Sequence, residues 1–335
     1  MATPRILLRL PHLSGIERAL VALRAHVPET PLVRSELLSR ALDAEVWLKN
    51  ETVSPIASFK LRGGLTAVLR ARETGAARGA VTSSTGNHGQ GVAYAARAVG
   101  VPAHIFLPRG ANPVKRRMIE ALGATIHEAG ADIDEAKAAA QGFAASSGLL
   151  FVDDGESLDV MEGAGTVGLE VAQRLPGIDV LFVPMGSGTL AVGCAVALKS
   201  LQSSARVVAV QSSGSPAMTE SFHARRAVER PIDSLADGLA CRIPARLALE
   251  GLWTWVDDAV AVSDASLLMA LRALVEDGHV LVEPAGAAGL AAAWIRRHEL
   301  RSRRVVLVLT GANGTVPVLA AALSAPPLFG PDVTA

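Results

Sequence analysis

The sequence predicts an α/β fold, a mainly parallel sheet covered by helices on both faces, and three observations carry that prediction. Half of the 335 residues are hydrophobic and only 19% are charged, which suits a compact chain with a large core and excludes a disordered or collagen-like one. Short runs rich in Val, Ile and Leu alternate along the chain with longer Ala- and Leu-rich segments. Most of these runs are apolar, and apolar strands alternating with helices predict a mainly parallel sheet covered on both faces.

In order, a first strand falls at 45–48 and a helix at 60–72, followed by strand 79–82 and helix 89–99. Strand 104–107 leads to helix 113–122, strand 125–127 to an alanine-rich helix at 132–146, and strand 149–152 to a helix from about 162 to 174. The second half repeats the scheme, with strands at 180–183, 207–211, 259–262 and 305–309 and helices at 188–200, 215–226, 264–277 and 285–298. Ligands in such folds gather at the carboxyl ends of the strands. There is no internal repeat and no low-complexity linker, so a second domain has to be inserted rather than appended.

Lys+Arg and Asp+Glu both total 32, and no basic stripe interleaved with aromatics occurs, so no nucleic-acid partner is expected. Cys194 and Cys241 form no CxxC pair, and the N-terminus has no readable signal peptide, both of which suit the cytoplasm. Val180 to Leu198 runs 19 residues without a charge, enough for a membrane span. Pro184 followed by Gly186, Ser187, Gly188 and Thr189 divides it into strand, loop and helix, so no membrane partner is expected.

Three segments set small, polar or reactive residues directly after a strand. In Ser58-Phe59-Lys60-Leu61-Arg62-Gly63-Gly64 a lysine opens a helix; it reads either as a solvated charge or as an amine for Schiff-base chemistry, which needs partial burial. From Thr82 to Asn87 six consecutive residues are Ser, Thr, Gly or Asn. One of them suffices for a helix cap; together they also make a cradle of amides and hydroxyls for a carboxylate or phosphate. Pro184-Met185-Gly186-Ser187-Gly188-Thr189-Leu190 lets a backbone approach a phosphate but has neither the GxGxxG spacing nor a GKS/T ending.

Together these segments resemble the pyridoxal-phosphate enzymes of fold type II, the tryptophan-synthase-β-like fold, in the branch of threonine and serine dehydratases and serine racemase. Thr30-Pro31-Leu32, Ser58-Phe59-Lys60 with Gly63-Gly64, and Ser84-Thr85-Gly86-Asn87-His88-Gly89-Gln90-Gly91 match its motifs. Asn112-Pro113 with Lys115, Asp237-Gly238-Leu239-Ala240, Glu283-Pro284-Ala285-Gly286-Ala287 and Thr310-Gly311-Ala312-Asn313 follow in the family's order.

The resemblance implies a two-domain protein, with residues 1–78 and 157–335 forming a large cofactor-binding domain and 79–156 an inserted small domain. It implies pyridoxal 5′-phosphate as cofactor, bound through Lys60 with Phe59 beside it, by Asn87 at the ring hydroxyl, by the backbone of Gly186, Ser187, Gly188, Thr189 and Leu190 at the phosphate, and by Thr310 at the pyridine nitrogen. Ser84, Thr85, Gly86, Asn87 and His88 would hold the carboxylate of a small amino-acid substrate. Lys60 would move the α-proton, and in this family the cofactor phosphate is expected to protonate the leaving hydroxyl. Thr85 stands where racemases keep a serine acid/base and many dehydratases an alanine, so a catalytic part for it stays open.

The activity so implied is dehydration and deamination of a 3-hydroxy amino acid such as threonine or serine to a 2-oxo acid. A racemase is the alternative, as is a dehydratase of a larger substrate such as phenylserine, hydroxyaspartate or an osmolyte-derived amino acid. A homodimer or homotetramer is expected. Gln211, Ser215 and Ala217 occupy the positions where relatives bind a divalent ion, so no metal site is expected. About two dozen residues follow Thr310, where allosteric relatives append a regulatory domain, so end-product feedback is not expected.

Overall fold

The computed structural model describes residues 9–84 and 86–330. In chain order its strands are β1 (Leu32–Arg34), β2 (Glu45–Asn50), β3 (Ala80–Ser83), β4 (Ala103–Leu107), β5 (Thr125–Glu128), β6 (Leu150–Phe151), β7 (Val180–Pro184), β8 (Arg206–Ser212), β9 (Asp258–Val262) and β10 (Arg304–Leu309). They form a six-stranded sheet of order β1-β2-β10-β7-β8-β9 and a four-stranded sheet of order β5-β4-β3-β6. Every pairing is parallel except that of β1 with β2. The predicted α/β class with parallel sheets is therefore the observed one.

Strand alternation builds the large core. Leu181, Val183, Val306 and Val308 face one side of the six-stranded sheet, and Val180, Phe182, Val305, Leu307 and Leu309 face the other; all are buried under helices. Both faces being covered is why these strands are uniformly apolar in sequence.

Four helices and one strand go beyond the sequence-based expectation. Strand β1 is a three-residue antiparallel edge with partly exposed side chains, so it has no apolar run to announce it. The helix Leu13–Leu23 is capped by His12, whose Nδ1 accepts from Gly15 N at 2.9 Å, in place of the usual Ser, Thr, Asp or Asn. Glu36–Leu42, Arg246–Trp255 and Val316–Leu323 are the other three. The single helix expected at 285–298 is instead a 3₁₀ turn, Pro284–Ala287, the α-helix Ala288–Ile295 and a second 3₁₀ turn, Arg297–Glu299.

Two order reversals position the site. In the six-stranded sheet β7, β8 and β9 run one way while β10 lies on the other side of β7; in the four-stranded sheet β3, β4 and β5 run one way while β6 lies on the other side of β3. At such a reversal the loops leaving neighbouring strand ends diverge and open a crevice. The loops after β7 and β10 open one, and those after β3 and β6 open the other.

Helix packing then sets two helix starts side by side. A Cβ on Gly64 would lie 2.6 Å from Gly91 O, and one on Gly91 would lie 2.5 Å from Lys60 O. Glycine at both places lets the helices Lys60–Glu73 and Asn87–Val99 approach backbone to backbone.

Candidate active site

One cavity, of about 180 Å³, collects residues from both crevices: Lys60, Ser84, Asn87, His88, Asp154, Gly186, Ser187 and Thr310 line it, with Phe59 beside Lys60. The lysine loop and the end of β10 are zipped together. Phe59 N donates to Thr310 O at 3.0 Å, Ala312 N donates to Ala57 O at 2.9 Å, and Ser58 pairs with Gly311. Thr310 is thereby fixed next to the first turn of the lysine helix.

On the other wall, Ser84 Oγ accepts from Gly86 N at 2.9 Å, which folds the loop after β3 into the start of the helix Asn87–Val99. Gly86 lies against the Lys115 stem, where a Cβ would be 2.0 Å from the lysine Cδ. Asn87 is held from both sides: its Nδ2 donates to Glu283 Oε1 at 2.6 Å, and its Oδ1 accepts from Asn313 Nδ2 at 3.0 Å. Thr85 lies outside the described residues.

The loop after β7 runs into the helix Thr189–Leu201, whose first amides have no partner within the helix. Gly188 is its N-cap with φ of 96°, a left-handed conformation that glycine adopts without strain. Gly186 and Ser187 line the cavity, whereas Thr189 and Leu190 are buried in the first helical turn and their side chains do not.

Sequence reasoning passed over four charged residues at this site. Lys115 Nζ is buried between Asp237 at 2.7 Å and Glu283 at 3.1 Å. Burial pushes its pKa down, but the two carboxylates outweigh burial and hold the amine above its ordinary value. The fourth is Asp154, whose Oδ1 and Oδ2 both accept from Lys60 Nζ at 2.5 Å and whose Oδ2 accepts from Ser187 Oγ at 3.2 Å. Burial raises the Asp154 carboxyl, yet the charge of Lys60, His88 and the hydrogen bonds from Lys60 and Ser187 bring it to about 2. The signals available were Lys115 and Glu283 inside recognisable motifs and a pair of aspartates directly after a strand.

Among the described residues, no group of three or more His, Cys, Asp and Glu side chains is gathered as metal ligands. Gln211 spends its Oε1 on Thr219 N, at 2.9 Å, and Thr219 Oγ1, at 3.1 Å. No helix among the described residues is long and apolar enough to cross a membrane.

The site therefore defines a class of protein: an α/β enzyme with a partly buried lysine amine facing a glycine loop at a helix N-terminus. That donor set fits a ligand carrying an aldehyde at one end and a phosphate at the other. Residues 23–311 match the family model described as pyridoxal-phosphate dependent enzyme, and the chain belongs to that family. Its cofactor is pyridoxal phosphate.

The L-threonine ammonia-lyase of Thermotoga maritima is 36% identical over 304 residues, covering 90% of this chain and 75% of the relative. The catabolic L-threonine dehydratase of Staphylococcus aureus is 30% identical over 93% of both chains. Among solved structures, maize serine racemase superposes with a TM-score of 0.87 at 28% identity, covering 94% of this chain and 97% of that one. The processed form of threonine deaminase isoform 2 from Solanum lycopersicum gives 0.86 at 26% identity, covering 97% and 99%.

Proposed function

We propose that the protein dehydrates and deaminates a 3-hydroxy amino acid, threonine or serine, to a 2-oxo acid and ammonia. The observation that carries this reading is that Lys60, Ser187 and Thr310 line one cavity, in a chain 36% identical to an L-threonine ammonia-lyase. Bound pyridoxal phosphate supplies the electron sink for charge that develops at the substrate α-carbon. Lys60 holds the cofactor through its amine and moves the α-proton. The amides from Gly186 to Leu190 and the Ser187 hydroxyl would hold the phosphate, and Asn87, oriented by Glu283 and Asn313, would hold the ring hydroxyl. Gly86 to His88, at the open end of a helix, would receive the substrate carboxylate together with Ser84.

A panel of 3-hydroxy amino acids assayed for 2-oxo acid tests this function, and absence of 2-oxo acid from every member would overturn it. Racemisation is a second reading, supported by the likeness to maize serine racemase, and chiral analysis of the remaining substrate separates the two.

Thr310 is the residue proposed to face the pyridine nitrogen. A hydroxyl at Thr310 would pair with a ring nitrogen without the charge a carboxylate would bring, so Thr310 would favour prompt departure of the β-hydroxyl over racemisation. Thr310→Asp is expected to keep the cofactor but to lower elimination by about tenfold or more, roughly the effect of one pKa unit of charge pairing. Unchanged elimination in that variant would remove Thr310 from the reaction.

The segment 79–156, which holds the whole four-stranded sheet, is proposed as a small domain inserted into the large one. It contributes Ser84, Asn87, His88 and Asp154 to the cavity, while Gly186, Ser187 and Thr310 come from the rest. Substrate is therefore expected to draw the two sheets together. Equal inter-sheet angles in free and substrate-bound crystals would refute that motion. Cytoplasmic location and a homodimer or homotetramer complete the reading; a monomer in sedimentation would contradict the latter.

A further inference from the structure

After β6 the chain turns through Asp153 and Asp154, and the two carboxylates part company. Asp153 Oδ1 accepts from Gly155 N at 2.8 Å and from Glu156 N at 3.1 Å, and its Oδ2 pairs with Lys137 at 2.7 Å; it builds the turn. Asp154 enters the cavity and touches Lys60 Nζ, Ser187 Oγ and the ring of His88.

His88 is informative because its two nitrogens are in different situations. Nε2 lies 3.1 Å from Val152 O, and since a carbonyl only accepts, Nε2 carries the proton. Nδ1 of the neutral ring is then a bare acceptor. It is buried, it has no hydrogen-bond partner, and it faces Asp154 Oδ1 at 3.6 Å. Two lone-pair-bearing groups facing one another in a buried place are comfortable only with a proton between them. Burial pushes the His88 ring below its ordinary pKa, so the proton has to arrive on Asp154. Without the Lys60 ammonium, Asp154 loses its nearest positive charge and rises towards protonation, with Nδ1 placed to accept the resulting O–H.

Resting on the dehydratase reading above, we propose that Asp154 is a further catalytic residue, which takes up the proton that Lys60 releases and delivers it to the departing β-hydroxyl, with His88 as the residue that positions it. This role differs from the expectation that the cofactor phosphate supplies that proton. In the step, the Cα–H bond breaks and its proton goes to Lys60 Nζ. The electron pair left on Cα forms the Cα–Cβ double bond as the Cβ–O bond breaks, and the oxygen leaves with the pair of that bond and the proton of Asp154, as water. For the cycle to close Lys60 has to become a neutral amine again, and its proton passes to Asp154 across their 2.5 Å contact as the ammonium that holds the carboxyl down is lost, which resets both groups. The other acids that line the cavity are engaged elsewhere: Lys115 takes Asp237 and Glu283, Arg242 takes Asp134, and Lys137 takes Asp153.

The test compares leaving groups in the holoenzyme, since chloride departs from β-chloroalanine without a proton and hydroxide does not depart from serine. In Asp154→Asn the serine rate is expected to fall by about 10²-fold or more, the ordinary worth of one general acid, and the ratio of β-chloroalanine to serine turnover to rise by a similar factor. Asp154→Glu, which keeps a carboxyl, should recover part of the serine rate. Equal losses on both substrates, or no loss on serine, would overturn the role. A second readout needs no turnover: the ¹⁵N resonances of the His88 ring in cofactor-free protein. Asp154 and Asp153 favour the charged ring while Lys60 and burial oppose it, so Asp154→Asn should move the His88 titration lower, and an unmoved midpoint would overturn the pairing. Wild-type protein that yields 2-oxo acid from no member of the 3-hydroxy amino-acid panel overturns the dehydratase reading and this role with it, whereas wild-type turnover with an unchanged ratio in the variant overturns this role alone.

Discussion

Lys60→Ala is expected to abolish elimination, lowering it by about 10³-fold or more, because one side chain is asked both to hold the cofactor covalently and to move the α-proton. Several lysines stand near the site, and their surroundings separate them. Lys49 Nζ is buried on Glu170 at 2.6 Å and Thr30 O at 2.8 Å. Lys115 is locked between two carboxylates, and Lys137 is paired with Asp153. Lys60 alone among these opens a helix beside both Ser187 and Thr310, and its single partner, Asp154, has further contacts to His88 and Ser187 within reach. Borohydride reduction of the loaded protein followed by peptide mapping should label Lys60, and the label should vanish in the variant. A label on Lys49, Lys115 or Lys137, or an alanine variant with wild-type turnover, would refute the assignment.

How much of this was legible in the sequence depends on whether a residue announces itself locally. Asn87, Gly186, Ser187 and Thr310 each follow a strand within a few residues and Lys60 opens the helix after β2, in company of Gly, Ser or Thr that the strand-to-helix turns require, and the structure brings them to one cavity. The alternating apolar runs placed nine strands, most plainly those such as β7 and β10 whose two faces are both buried and which therefore cannot hide their composition. What escaped was set by partners distant in the chain. Asp153 and Asp154 are chemically identical neighbours, and only the pairing of β6 with β3 carries the second of them to His88 and Lys60. Glu283 shows itself as a site residue only where Asn87 and Lys115 meet it, 196 and 168 positions away by residue number. Arg62 and Thr30 lie within motif segments, yet neither lines the cavity; they belong to a buried ion network behind it.

Arg62→Met is expected to destabilise the fold by about 3–5 kcal/mol, the cost of breaking a buried ion pair by removing one partner. Arg62 Nε donates to Glu51 Oε2 at 2.8 Å, Nη1 to Thr166 Oγ1 at 3.0 Å and Glu170 Oε1 at 3.1 Å, and Nη2 to Thr30 Oγ1, Glu51 Oε1 and Glu170 Oε2 at 2.9–3.0 Å. Lys49 adds the second buried cation, on Glu170. Four segments of chain meet here, and Arg62 lies two residues from Lys60, so the network also fixes where the catalytic helix begins. Methionine fills similar volume but leaves the buried Glu51 carboxylate without an ion-pair partner among the described residues, while Glu170 keeps Lys49 and the partly exposed Arg24. The wild-type pH dependence has a definite sign. Burial raises Glu170, but Arg62 and Lys49 outweigh it and lower the carboxyl from 4.5 to about 2 in the folded protein. A depressed folded pKa gives stability that is complete above the unfolded value and is lost as pH falls from about 4.5 towards 2, on the order of 3 kcal/mol in all. Removing Arg62 removes the chief force behind that depression, so the variant should lose less stability than wild type over the same pH interval. Urea unfolding midpoints at pH 7 and at pH 4, compared at equal m-values, read both effects. A loss below about 1 kcal/mol at pH 7, or parallel acid sensitivity in the two proteins, would show that the network does not hold the helix in place.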